Sequence, residues 1–216
     1  MILWVITSLS LLSPSWENNS QLYNINAQSN NPWAVRIYGG YAARRPLMAI
    51  LTYGDFRREY HHTGIRGIDL SRVFHQNWKE YPIDWSIRLG YIRHNENGFQ
   101  PNHNQYNLFF TAHYNTNYKG FPIRWFIGEG LSWSELVPYV EGRETTRLSD
   151  RQSQLMNYIN VGFDMNVGDI IGRPELNQLT VGIADSHRSG IYKSLELFNR
   201  TQGGGNFLTV FFEYNF

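Results

Sequence analysis

From residue 33 to its end the chain is written in short segments in which apolar and polar positions alternate. The last segment is the clearest: Leu208, Val210, Phe212, Tyr214 and Phe216 alternate with Thr209, Glu213 and Asn215, and Phe211 is the one apolar residue out of turn. A period of two is a strand with two chemically different faces. The same pattern predicts a strand over Trp33 to Ala42, with Trp33, Val35, Ile37 and Tyr41 opposite Arg36 and Tyr38. It predicts another from Ile83 to about Arg93, where Ile83, Trp85, Ile87, Leu89 and Tyr91 alternate with Asp84, Ser86, Arg88 and Gly90, and one over 105–115. A fifth opens after Pro122, a residue tolerated at the start of a strand. The sixth is expected over 152–167, the seventh over 175–189 and the eighth at the C-terminus, while the second lies somewhere in 57–74.

Two chemistries separate the faces. Arg36, Asp84, Arg88, Gln105 and His113 share theirs with most of the small residues, as a narrow polar lumen requires; the aromatic face has few. A soluble β-sandwich or lipocalin-like barrel is the alternative, but it would turn its apolar face inward. Segments of this length match the roughly 9–11 residues that cross a bilayer as tilted strand. The expectation is an all-β protein, an eight-stranded antiparallel transmembrane β-barrel over 31–216, embedded in the bacterial outer membrane. An even strand number returns both termini to one side. That places 44–56, 95–104, 137–151 and 190–204 outside and 74–82, 116–122 and 168–175 on the periplasmic side, and makes Phe216 the expected handle for the barrel-assembly machinery.

Composition agrees. Charged residues are 17%, below the usual share of about 25%, and no apolar run beyond the N-terminus reaches the roughly 20 residues of a membrane helix. A net charge of +1 argues against nucleic acid as a partner. With no cysteine, disulfides and thiolate chemistry are excluded. Residues 1–30 are expected to hold a signal peptide and a polar segment: the first twelve have a signal core's apolarity without its preceding positive charge, and Ala27 marks a cleavage region. A buried or anchoring helix is the other reading.

One place suggests chemistry. Continuing the parity of Leu179, Val181 and Ile183 brings Asp185, His187 and Ser189 to the lipid-side face, and strand eight read backward from Phe216 brings Asn206 there too. A His and a Ser two apart on a strand face are roughly 6.5–7 Å apart along the backbone, so their side chains can lean together as base and nucleophile for acyl transfer. Asn206, or N–H groups of the run Gly203-Gly204-Gly205, would stabilise the oxyanion. The plainer reading is that polar residues mark where a strand leaves the bilayer. By parity Glu129 also faces lipid, where a carboxylate is costly unless paired; with Asn157 and Asp185 it would form a polar track to His187. A bulge after Gly128 would instead turn Glu129 into the lumen. Glu135 and Glu196 are other candidate acids. The arginines at 44, 45, 57, 58, 143, 147 and 188 lie near outer loops and suit the phosphates of outer-leaflet lipid, or are solvated loop charge. His61, His62, His75, His94 and His103 show no metal-ligand spacing and are expected to be solvated, with no metal or cofactor bound.

The run Trp125-Phe126-Ile127-Gly128-Glu129-Gly130-Leu131-Ser132-Trp133, followed by Leu136, Pro138 and Glu141, resembles a segment of the bacterial outer-membrane acyloxyacyl-hydrolase-like proteins, which are similar to the lipid A 3-O-deacylases. So do the block from His187-Arg188-Ser189-Gly190 to Gly204-Gly205-Asn206-Phe207 and the Tyr214-Asn215-Phe216 terminus. The resemblance spans roughly the second half of the chain. It implies an esterase acting on lipid A or another outer-leaflet lipid, with Ser189 as nucleophile, His187 as base and a Glu as third member. The family's Glu at the start of the last strand is Asn206 here, and its Asn after the Ser is Gly190, so Glu129 is the acid to test, with Asn206, Arg188 and Gly205 as substrate-binding residues. The alternatives are a non-enzymatic barrel with a structural or surface-binding role and an acyltransferase with an acceptor pocket in the lumen.

Overall fold

The computed structural model describes residues 32–190 and 195–216; the expected signal segment lies outside the described residues. Eight strands, β1 (Trp33–Ala42), β2 (Gly64–His75), β3 (Ile83–Asn95), β4 (Asn104–Tyr118), β5 (Phe121–Ser134), β6 (Leu155–Asn166), β7 (Leu179–Ser189) and β8 (Gly204–Asn215), pair in chain order, and β8 closes on β1. Every pairing is antiparallel. Three helices interrupt the connections: α1 (Leu47–Tyr53), α2 (Tyr139–Ser149) and α3 (Val167–Ile171).

The expected strand count stands, with three boundary differences. β2 occupies the later part of its expected window. β6 begins a few residues late, at Leu155; β7 does so because the Asn166 side chain accepts the Asp169 N–H and starts α3, and a 3-10 turn at Pro174–Leu176 follows. Both ends of the barrel wall meet on one side, where the Phe216 N–H donates to the Trp33 carbonyl at 2.9 Å.

The two faces are inverted relative to a water-soluble protein. Ile37, Leu89, Val210 and Phe212 are half or more exposed on the outside, while Arg36, Arg88 and Arg124 are each 2% exposed within. Large apolar side chains in a continuous outward band, with guanidinium groups inside, fit a hydrocarbon surround and a polar lumen. The soluble alternatives are thereby excluded.

Inside, charge pairing replaces an apolar core. Glu213 accepts from Arg36 Nε at 2.8 Å, has Arg88 Nη1 at 2.8 Å, and accepts from Arg124 Nη2 at 2.8 Å. Arg124 also binds Asp164 in a forked pair, 2.9 Å from each nitrogen. Phe211, the out-of-turn residue of the last strand, lies under the Arg36 guanidinium, 3.7 Å from ring centroid to Cζ, an attraction of ring face for cation that strengthens out of water. Gly182 makes room for it: a Cβ there would come within 2.5 Å of the Phe211 ring. At the outer mouth α2 packs against β8, its Glu141 fully buried and 3.5 Å from Arg188 Nη1.

Removing Glu213 would leave three buried guanidinium groups short of a counter-charge, a change that costs about 3–5 kcal/mol for a buried pair. Glu213→Ala is therefore expected to lower the urea midpoint of the refolded barrel substantially, measured by tryptophan fluorescence in micelles; an unchanged midpoint would show that the knot does not hold the barrel.

Candidate functional site

The β6–β7–β8 register fixes the suspected site. His187 lies opposite Ile159 on β6 and Asn206 on β8, and Ser189 lies opposite Asn157 and Gly204. All of these strand positions share the outward parity of Ile183 and Val210, near the end of β7 and the start of β8. His187, Ser189 and Asn206 are thus brought to one exterior rim, as parity predicts. Ser189 and His187 are partly exposed there, and Asn157 is buried.

His187 Nδ1 and Asn206 Oδ1 are 2.7 Å apart. A carbonyl oxygen can only accept, so Nδ1 carries the proton and Nε2 presents its lone pair. Asn206 Nδ2 donates to the Arg45 carbonyl at 3.2 Å, which fixes which end of the amide faces the histidine. Asn206 therefore orients the imidazole, and one of its two amide N–H groups is committed to the Arg45 carbonyl. No hydrogen bond joins His187 to Ser189 among the described residues.

Glu129 stays on the exterior. Neither the β4–β5 nor the β5–β6 ladder shifts register, so no bulge turns it inward, and it is exposed opposite Phe110 and Ile159. The β6 residue Ile159 stands between it and His187 in one cross-strand row, about two strand spacings or ~9.6 Å in all. Among the described residues it has no hydrogen-bond or ion-pair partner. It is not the acid of His187. Glu135 is committed to Asn104, whose backbone N–H at 2.8 Å holds its carboxyl below the ordinary range, and Glu196 pairs with Arg200. Asp185, outward between Val161 and Leu208, is buried with neither carboxylate oxygen hydrogen-bonded.

One further expected contact is corrected. Arg188 alternates with His187 and Ser189 and so points into the lumen, where Nη2 donates to the Gln154 carbonyl at 2.7 Å and Nη1 faces Glu141; a lipid at the exterior rim is on the other side of the wall. An added Cβ on Gly205 would stand on that inner face, 3.3 Å from Glu141 Cβ, while the Gly205 backbone hydrogen-bonds the His187 imidazole. The outer-loop arginines are mostly partnered by protein: Arg45 and Arg57 both bind Asp55, Arg147 binds Glu144, and Arg143 lies beside His61. The lumen cavity between Arg36, Asp69 and Ser186 measures about 10 Å³, room for one water.

The histidines were read least well from sequence. His94 and His103 are buried, not solvated, and lie with buried Glu96 at the outer mouth. Burial pushes the Glu96 carboxyl up to about 7. The signal was present in the β3–β4 hairpin: Ile92 pairs with Gln105, so two positions further out His94 faces His103 on the inner side.

No protein-family model matches the chain, and no curated protein sequence matches it. Among solved structures, the barrel is similar to the outer membrane enzyme PagL, with a TM-score of 0.51 at 12% identity, covering 84% of this chain and 98% of that one. The N-terminal β-barrel domain of Pseudomonas aeruginosa OprF also aligns, with a TM-score of 0.47 at 14% identity over 85% of this chain and 96% of that one. So does Neisserial surface protein A, with a TM-score of 0.46 at 13% identity over 86% and 97%. The chain is an eight-stranded barrel of the kind found in the bacterial outer membrane. At these identities the likeness is one of fold.

An unpaired carboxylate among Phe110 and Ile159 on a lipid-facing wall is unfavourable, by roughly 1–2 kcal/mol at intermediate depth. Glu129→Leu is accordingly expected to stabilise the barrel in bilayers, measured by reversible denaturant unfolding; a loss of stability would show that the carboxylate has a partner.

Proposed function

We propose that the chain is an outer-membrane esterase that hydrolyses an ester-linked acyl chain of lipid A or a similar outer-leaflet lipid. The reading is carried by one observation: the 2.7 Å contact from His187 Nδ1 to Asn206 Oδ1, which leaves a basic Nε2 two residues from Ser189 on the exterior face. Nothing in a lipid-facing wall needs an oriented imidazole beside a hydroxyl, and the ester bonds of a membrane lipid lie at this depth, near the rim.

In the reaction, Ser189 Oγ attacks the ester carbonyl carbon as its proton passes to His187 Nε2. The tetrahedral adduct collapses, the C–O bond to the lipid alcohol breaks, and the imidazolium returns its proton to that oxygen. Water then repeats the sequence on the acyl-serine and releases a fatty acid. The Ser–His geometry closes when substrate fills the rim, since catalytic hydrogen bonds are often long until then. Asn206 holds the productive tautomer, the part an Asn plays beside the His of papain-like enzymes. It stands where the related deacylases keep a glutamate. Asp185 and Asn157 border the pair and make the rim polar enough to admit an ester and a water. Phe216, exposed at the far end of β8, serves the assembly machinery in this reading.

The non-enzymatic alternative has its own observation, the lack of a His187–Ser189 hydrogen bond or a carboxylate on the imidazole. Mass spectrometry of lipid A from expressing cells separates the two. Wild-type protein is expected to remove one acyl chain, Ser189→Ala and His187→Ala to abolish the change in folded barrels, and Asn206→Ala to slow it about 10²-fold or more. Lipid A identical with and without the wild-type protein would make the barrel a structural or ligand-binding one.

A further inference from the structure

We propose that His94, Glu96 and His103 form a binding site for one divalent transition-metal ion of the zinc class at the outer mouth of the lumen, separate from the Ser189 rim. The three side chains are each 1–2% exposed, and one ligand atom from each lies within 4.8 Å of the others. Glu96 Oε1 is 3.8 Å from His94 Nδ1 and 3.5 Å from His103 Nδ1. Ligands at roughly 2.0–2.2 Å around a tetrahedral ion are about 3.4 Å apart, so the two Glu96–histidine distances are within a few tenths of an ångström of coordinating ones.

These distances are too long for hydrogen bonds and too short for indifference. His94 Nε2 meets the Gln105 carbonyl oxygen at 2.8 Å, and Gln105 passes its amide N–H to Asn107 at 2.9 Å. His94 is thereby protonated on Nε2 and turns the lone pair of Nδ1, a buried atom with no hydrogen-bond partner, toward a carboxylate oxygen. Two acceptors facing each other out of water repel unless a cation lies between them. A metal-ligating histidine that donates its other N–H to a carbonyl is the usual supporting arrangement. His103 completes the set. Its ring stacks on His94 at 4.5 Å with planes 5° apart, so it must turn to bring a nitrogen onto a shared ion. Only a 3.4 Å contact to the Pro101 carbonyl holds it, and Nε2 is unpartnered.

Of the two nearby cations, Arg188 is paired with Glu141 at 3.5 Å and Arg93 donates to the Asn104 amide oxygen at 2.8 Å, while Glu96 supplies the carboxylate between the two imidazoles. Glu96 also accepts from Gln100 at 3.1 Å and from the Tyr139 N–H that begins α2. An ion here would tie the 96–103 hairpin to α2 and pin the helix in the mouth of the barrel. Two imidazoles and one carboxylate suit zinc, and cobalt(II) in its place, better than calcium or magnesium, which prefer oxygen.

The test is to refold the full chain in detergent with cobalt(II), remove excess, and record visible absorption and metal content. One equivalent of cobalt with the intense bands of four-coordinate geometry is expected, displaced by zinc, with thermal unfolding shifted to lower temperature by chelator. Glu96→Gln, which keeps an oxygen acceptor for Gln100 and Tyr139, is expected to weaken retention at least tenfold, and His94→Gln with His103→Gln to abolish it. His75→Gln, on the exposed far end of β2, should not change it. Wild-type protein that holds no cobalt overturns the proposal, whatever the variants do; so does retention unchanged by Glu96→Gln in a folded barrel.

Discussion

The interior of this protein is held by a carboxylate that three arginines share. Glu213 sits where Arg36 from β1, Arg88 from β3 and Arg124 from β5 converge, so one side chain of the last strand ties together strands from around the wall. Hydrocarbon outside gives no hydrophobic reason for the wall to close inward, and the lumen must supply its own cohesion. Each guanidinium is buried, and each would be ruinous alone. Paired, they fill the lumen with directional contacts and leave room for aromatic rings such as Phe211 between them.

That filling divides the molecule's functions by face. The lumen is filled with charged and aromatic side chains, and α2 packs against β8 at one mouth. In the proposed function, chemistry on an acyl ester falls to the exterior, where β7 and β8 present His187, Ser189 and Asn206. The odd-numbered residues of β7 look to lipid and the even-numbered ones inward, so Arg188 belongs to the lumen and its neighbours in sequence to the rim. The same logic sends His94 and His103 inward, to a different environment with different chemistry.

The strand pattern was legible because hydrocarbon and lumen impose opposite chemistry on alternate residues, and a period of two survives in the sequence. β1, β3, β4 and β8 were plain for that reason. β2 was obscure because its face is broken by Gly67, Arg66 and Arg72, which blur the alternation. The rim cluster followed from parity as well, since strands seven and eight are neighbours. What parity does not contain is rotamer and reach: that Asn206 turns its oxygen to His187, that Ile159 stands between His187 and Glu129, and that Arg188 finds Glu141.

By itself, then, the sequence determined an eight-stranded membrane barrel and the set of residues that share one exterior rim. Those depend on alternation, which is local and recurs in every strand. Tertiary structure decided which of those residues touch, which carboxylates are committed elsewhere, and that His94 at the end of β3, His103 and Glu96 meet beside α2. Such contacts depend on cross-strand register and on residues far apart in the chain, where a shift of one position exchanges lipid for lumen.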